Sequence, residues 1–571
     1  MKKKPFLMTT GSNEREGTRI PWSFAAGQLL LLIFLVTISF GTLSAQTNRP
    51  DNMMAFHLDK AFYVNGEVIW YQLYLPAGFR EHDIMLKLSL RDNSGKPVEE
   101  NFLDTRGGTT VNGYFKLPYD IAPNVYHFLV MATESASKKR VKLGEVAVPV
   151  YNDLDDSWKD KPSVSVPSTE NVALKGLQLD IQLADSGIKK RGEVSAGIKV
   201  TDASGRPVAA ELSVSVRDEN LAHTAGTIKN ITIPVEIDPA TLDNDIYING
   251  RLLGPDGQAR TGITIGAFAS DDRTSYYADT DQEGRFALHL QQFTGDKPLQ
   301  FVDLQGASFR IELDDQISLD AYPAVQYTED VKNYLEWSRS RKMIYQLYQT
   351  VEAGLQIESP VTETPEMEPD MHIRLKDYAS FADLYTFLLE VSTPLKLRKD
   401  EEGGLYARMF NPDPRVRVFY QQSPIFIVDG KITRNVNFLQ QLDIEKLEVI
   451  DEFFDFQRLI NYFGKIGSNG VVIVQTSIPN LQLPESEEAG IFSIRGLLPK
   501  GKVIQVEDPA PHRPVFKPQL YWSAGEETNA QGQFRLQFPH TDDLGTFIIE
   551  VVAKDKDGRM GTVTTSYRVN W

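Results

Sequence analysis

From Met54 onward the apolar residues fall in short runs, many of them alternating with polar ones, and Gly, Asn, Asp or Pro interrupts the pattern about every ten residues. This punctuation predicts a chain of small β-sandwiches. Leu212 to Val216 alternates strictly and predicts a half-buried strand, whereas Ile425-Phe426-Ile427-Val428 and Val471-Val472-Ile473-Val474 carry no polar alternation and predict buried strands. Asp429-Gly430 after the first of these predicts a turn, because glycine tolerates positive φ. Leu442 to Ile450 alternates carboxylates with Ile, Leu and Val and predicts a helical turn leading into a strand. Residues 327–356 make the best helical stretch, with Val331, Leu335, Ile344, Leu347, Tyr348 and Val351 near helical spacing. A short amphipathic helix is expected over 381–391, and residues 152–169 and 358–371 read as linkers.

The first 45 residues depart from this pattern. Lys2, Lys3, Lys4, Arg15 and Arg19 precede an apolar block from Leu29 to Phe40 and the small-residue exit Thr42-Leu43-Ser44-Ala45. A secretory signal peptide cut after Ala45 is expected, with an uncleaved anchor as the alternative. Cleavage would remove five basic and two acidic side chains from totals of 60 Lys+Arg and 77 Asp+Glu, leaving a formal charge of −20. Such a chain repels nucleic acid and anionic lipid surfaces. The triplet Lys138-Lys139-Arg140 reads as an edge-strand or loop gatekeeper. Cysteine is absent, which removes disulfides, thiol nucleophiles and cysteine-held metals and fits a Gram-negative envelope.

The stretch from Ser423 to Ser477 resembles the plug domain of TonB-dependent outer-membrane receptors. The resemblance rests on the strand ending in Asp429-Gly430, on Ile444 to Ile450, and on Gly464, Gly467 and Gly470 before the final apolar strand. A P-loop is set aside, since Gly464 to Gly470 lacks the Gly-Lys-Ser/Thr ending and leads into a strand. His57 to Tyr71, with the strand series through Val130, is similar to the second macroglobulin domain (MG2) of the α2-macroglobulin family. Residues 192–219 and the tail from Gly532 to Ala553 resemble later macroglobulin domains, and Ile246 to Gly257 with Ala278 to Phe286 resembles the carboxypeptidase regulatory-like sandwich. The Asp279, Asp281 and Glu283 spacing is expected to form a turn at Gly284 rather than a calcium loop.

Together these resemblances imply a mainly β protein, in which tandem Ig-like or macroglobulin-like sandwiches carry an inserted small α+β plug-like domain. The expected order is a signal peptide at 1–45, an MG2-like sandwich at 50–151, a linker at 152–169 and a macroglobulin-like sandwich at 170–235. A regulatory-like sandwich at 244–325, a helix and linker at 327–371, the plug-like domain at 372–478 and a last macroglobulin-like sandwich at 485–571 complete it.

No catalytic residue, cofactor or metal site is expected. The eight histidines are scattered singly, and His57 beside Asp59 and Lys60 reads as a surface or strand-end residue. Without cysteine there is no macroglobulin thioester, and residues 479–571 are too few for a receptor barrel. A non-catalytic adaptor in the periplasm or at the outer membrane is therefore expected, docking on envelope proteins that include a barrel receptor among the candidates. Membrane association would come only through partners or an uncleaved signal. The candidate interaction surface is Phe453, Phe454, Phe456, Tyr462 and Phe463. The alternatives are a polysaccharide- or peptide-binding accessory, a cryptic hydrolase, and a protease binder lacking the thioester.

Overall fold

The architecture is set by where each open apolar face finds its cover. The computed structural model describes residues 52–164, 176–185, 187–221, 230–304, 306–348, 355–357, 366–378, 381–399, 401, 403–477, 490–503 and 512–570. The expected signal peptide and parts of both linkers lie outside these residues.

The first sandwich has one sheet in the order Asn230–Pro234, Met53–Leu58, Val68–Tyr74, Thr110–Lys116. Its second sheet runs Tyr63–Val64, Arg140–Tyr151, Asn124–Thr133, Met85–Arg91, Pro97–Asp104. Phe56, Tyr71, Phe115 and Phe128 pack between the two sheets, with ring centroids 4.9 to 5.5 Å apart. Strand Asn230–Pro234, expected to lie in the second module, instead pairs antiparallel with Met53–Leu58.

The segments expected as separate sandwiches at 170–235 and 485–571 form one second sandwich. Leu177–Leu183 and Glu193–Asp202 share a sheet with Gln533–Pro539, and Ala210–Asp218 lies between Gln519–Glu527 and Gly545–Asp555, with Met560–Val569 at the edge. Three strands from the first segment cannot cover their own apolar side. Val194, Val200, Leu212, Val214 and Val216 therefore close a core with Leu536, Phe538, Phe547, Ile549 and Val551. The third sandwich pairs Arg285–Leu290, Ile246–Leu253 and Arg310–Leu313 against a sheet of Thr274–Asp279, Thr264–Ala269, Asp296–Asp303 and Ile491–Arg495. Its last strand was expected in the C-terminal module. The insertions are thus nested, with the α+β unit interrupting the third sandwich and the third sandwich interrupting the second.

In the α+β unit a five-stranded sheet runs Met371–Arg374, Leu447–Phe453, Val471–Thr476, Ile425–Val428, Lys431–Thr433. Ile425–Val428 and Val471–Thr476 pair in parallel, and their unbroken apolar runs, 425–428 and 471–474, are buried. One face of this sheet packs on Phe268 and Val302 of the third sandwich. The other is covered by helix Leu384–Val391 and a three-stranded sheet of Leu395–Lys399, Leu405–Asn411 and Val418–Phe419.

Helix Glu329–Tyr348 packs on the end of the first sandwich, burying Val331, Tyr334, Leu335, Ser338, Arg341 and Tyr345. The expected stripe holds only in its first half, since Leu347 and Tyr348 are exposed.

Because the chain has no cysteine, the shared second sandwich is open to a direct test. Ser195 and Gln537 are register partners, and antiparallel partners lie within disulfide reach. Ser195→Cys with Gln537→Cys should cross-link on mild oxidation and change mobility on a non-reducing gel. Failure to cross-link in the folded protein would mean that the two segments do not share a sheet.

Candidate functional site

Of the residues singled out as plug-like motif, Asp429, Gly430 and Gly464 stand at the seam between the α+β unit and the third sandwich, and Gly467 and Gly470 pack within the unit. Asp429 and Gly430 both have positive φ, 47° and 86°, and make the tight turn between Ile425–Val428 and Lys431–Thr433. The Asp429 carboxylate accepts from the Thr476 amide (2.9 Å) and hydroxyl (2.7 Å), tying the turn to the neighbouring strand. Gly464 ends helix Phe456–Phe463 at φ 57°, and a Cβ there would stand 2.6 Å from the Tyr277 hydroxyl. That hydroxyl donates to the Phe463 carbonyl (3.2 Å) and accepts from the Ile466 amide (3.0 Å), while Ser275 Oγ donates to the same Phe463 carbonyl (2.9 Å). A Cβ on Gly467 would meet Phe463 at 2.6 Å, and one on Gly470 would meet Met409 at 2.7 Å. The glycines are thus required by close approach of the backbone.

Gln300 extends this seam from the third sandwich. Its amide brackets Ile432, with Nε2 donating to the Ile432 carbonyl and Oε1 accepting from its N–H, both at 2.6 Å. A buried side chain here acts as one more rung of the five-stranded sheet. Around these polar ties Phe268 and Val302 share a core with Ile425, Ile427, Leu459, Ile466 and Ile473.

The expected aromatic surface is largely used up by this packing. Phe453 and Phe463 are buried, edge to face with centroids 5.1 Å apart, and Tyr462 is partly buried against the same cluster. Phe454 is partly buried too, and its carbonyl accepts from Asn411 Nδ2 (3.0 Å) and the Tyr420 hydroxyl (2.7 Å). Only Phe456 stays open, at 58 % exposure, with Ile460 one turn on at 48 %. The helix between them is amphipathic, so Leu459 and Phe463 face the core and Phe456 and Ile460 face water. A cleft of about 310 Å³ opens beside the seam, where Asp271, Arg273 and Asp429 line it together with Phe268 and Ile427.

The His57 to Tyr71 motif also proves to be a joint. His57 is fully buried, contrary to a surface position, with Nδ1 against Ser213 Oγ of the second sandwich and its ring 5.1 Å from Trp522. Asp59 accepts from the Tyr63 hydroxyl (2.6 Å) and the Trp70 amide (2.9 Å). Glu67 accepts from Lys60 Nζ (2.9 Å), the Tyr334 hydroxyl (2.9 Å) and Arg341 (3.3 Å), which joins the long helix to the first sandwich. Burial pushes the Glu67 carboxyl up, but Lys60 and Arg341 overcome this and hold it at about 2.

A second ionic joint centres on Asp315, next to the third sandwich. It meets Lys87 Nζ (2.7 Å), Arg91 and Arg140 Nε (3.3 Å), all from the first sandwich. Arg140 also donates to the Tyr247 carbonyl (2.7 Å), so the member of the basic triplet expected as a gatekeeper is a buried interdomain tie. Neither joint was legible locally, because Glu67 and Arg341, and Asp315 and its three cations, lie far apart in the chain. Asp281 accepts from the Glu283 and Arg285 amides within the turn at Gly284, which has φ 73°. Among the described residues no group of three or more His, Asp or Glu side chains is arranged to hold a metal, and no helix is long and apolar enough to cross a membrane.

One buried acid in the α+β unit works against the fold. Burial pushes the Glu452 carboxyl up to about 7, opposed by the Ser392 hydroxyl and the Lys396 ammonium. The folded state then keeps a proton that the unfolded chain releases near 4.5, so stability falls as pH rises from about 4.5 to about 7. Glu452→Gln removes that loss, which is worth up to about 3 kcal/mol. The variant should melt higher than the parent above pH 7 and no higher below pH 4.5, as read by calorimetry. An equal shift at both pH values would contradict a titrating buried Glu452.

No protein-family model matches the chain, and no curated protein does either. Among solved structures it is similar to native E. coli α2-macroglobulin at 10 % identity and a TM-score of 0.22, over 91 % of this chain and 40 % of that one. Salmonella α2-macroglobulin reacted with methylamine matches at 8 % identity and TM-score 0.22, over 90 % and 39 % of the two chains. The elastase-activated E. coli protein matches at 9 % and 0.23, over 90 % and 43 %. The chain spans about two fifths of the length of these structures.

Proposed function

We propose that this chain is a non-catalytic adaptor of the cell envelope, in which macroglobulin-like sandwiches form a scaffold that presents the plug-like α+β unit to a partner protein. The observation that supports this most is how the motif residues are used. Gly430, Gly464 and Phe463 lie at contacts that fix the unit's inner side to the third sandwich, and Gly467 and Gly470 allow close packing within the unit itself. Glycine and phenylalanine side chains cannot act as acid, base or nucleophile, so the role of these residues is to hold the unit in place.

Five of the exposed large apolar side chains on the α+β unit are Leu389, Val416, Val418, Phe419 and Phe456. Exposed apolar groups on a rigidly held unit suit protein docking. The export signal, a location in the periplasm or at the outer membrane, and a barrel protein as the partner belong to this same reading.

Excising the whole unit would bare Phe268 and Val302, so substitutions of exposed residues make the cleaner test. Tagged mature protein, purified from detergent-solubilised envelopes and analysed by mass spectrometry, should recover a defined envelope protein in stoichiometric amount. Phe456→Asp with Ile460→Asp or Val418→Asp with Phe419→Asp should reduce that recovery without lowering the melting temperature. Recovery of the protein alone from the soluble fraction would overturn the adaptor reading.

A further inference from the structure

The outermost layer of the α+β unit carries a face that stability alone does not explain. In its three-stranded sheet Leu395, Leu397, Leu405, Ala407 and Met409 point into the core. Alternation puts Lys396, Arg398, Tyr406, Arg408, Phe410 and Phe419 on the opposite face. Lys396 is the register partner of Arg408, Arg398 of Tyr406, and Phe410 of Phe419. Like charges directly opposite each other destabilise a sheet. Arg398 and Arg408 form no ion pair with a carboxylate among the described residues, in a chain with a net charge of −17. The Arg398 guanidinium sits 6.0 Å over the Phe419 ring, and the Phe410 and Phe419 rings are 4.8 Å apart. The result is an aromatic floor edged with unneutralised cations.

The strand at one side of this face is open. Val418–Phe419 pairs only with Phe410 and Asn411, its far edge meets no other strand among the described residues, and Val418 and Phe419 are 46 % and 40 % exposed. Arg417 precedes it, also exposed. Unpaired main-chain groups at such an edge are a template for an added strand.

We infer that this face binds an acidic, extended peptide segment of a partner protein, which lies alongside Val418–Phe419 as a further strand and sets its carboxylates against Arg398 and Arg408. This rests on the adaptor reading and names the surface and partner chemistry it uses. A polypeptide is favoured because only a polypeptide uses the main-chain edge. Long polyanions and anionic bilayers are disfavoured because the rest of the molecule repels them. The five-stranded sheet separates the face from the seam, so a peptide bound there leaves the joint to the third sandwich undisturbed.

The test uses the full mature chain and a fluorescein-labelled decapeptide of alternating Glu and Val, with a Lys/Val decapeptide, a single-stranded oligonucleotide and phosphatidylglycerol vesicles as controls. Fluorescence anisotropy should show binding of the Glu/Val peptide at least tenfold tighter than of the Lys/Val peptide, weakening as salt is raised. Arg398→Glu with Arg408→Glu should cut that binding at least tenfold at unchanged melting temperature, and Phe419→Pro should weaken it by removing the donor that faces the open edge. Equal binding of the two peptides, undiminished binding by the charge-reversed variant, or tighter binding to the oligonucleotide or vesicles would each overturn the inference. Envelope purification separates the two proposals. A partner recovered equally by parent and charge-reversed variant removes this face and leaves the adaptor reading standing, whereas specific peptide binding with no envelope partner removes the adaptor reading alone.

Discussion

The second sandwich is the constraint on which the rest of the molecule depends. Its strands before Asp218 and after Gln519 are each an incomplete layer, with valines and leucines that have no cover until the other segment arrives. Closing them places some three hundred residues between two neighbouring strands. Everything in between must leave and return to the same sheet. The third sandwich does so by keeping its last strand, Ile491–Arg495, for after the α+β unit, and the α+β unit is held by its seam within that excursion. Long-range closure of this kind costs loop entropy and slows folding, but the loop term grows only slowly with length once the insertions are themselves folded.

Within that frame the units are joined by buried charge as well as by apolar contact. Glu67 binds the long helix to the first sandwich, and Asp315 binds the first sandwich to the flank of the third. Buried ion pairs contribute little to net stability over a well-packed apolar alternative, but losing one partner leaves a charge stranded. They therefore act as registry devices here. Any other association of the first and third sandwiches leaves Asp315 without its cations, and any other seating of the long helix leaves Glu67 without Arg341.

Much of the local structure was readable from the chain because period-2 alternation and glycine turns report directly on strands. Ile425–Val428, Val471–Thr476 and the helix beginning at Glu329 lie where the apolar pattern puts them. What failed was pairing at a distance. Nothing local distinguishes the strand at Ile491, which belongs to the third sandwich, from that at Gln519, which belongs to the second. Aromatic density misled for a related reason, since Phe453 and Phe463 looked like a surface and are the core of an interdomain seam whose other half, Phe268 and Tyr277, lies almost two hundred residues earlier. The basic and aromatic face at Arg398 and Arg408 was written in strict alternation along two strands, but it shows as one face only once Leu395–Lys399 and Leu405–Asn411 are placed in register.

The central claim is that the α+β unit is held rigidly on the β scaffold while its outer sheet stays open. Hydrogen–deuterium exchange on the intact chain tests this most directly. The amides of Ile432 and Ile466, bonded to Gln300 and Tyr277 across the seam, should exchange as slowly as the core strand Thr264–Ala269, with the edge-facing amide of Phe419 exchanging fast. Early exchange at Ile432 and Ile466 while Thr264–Ala269 stays protected would mean that the unit is only tethered, and would contradict the account.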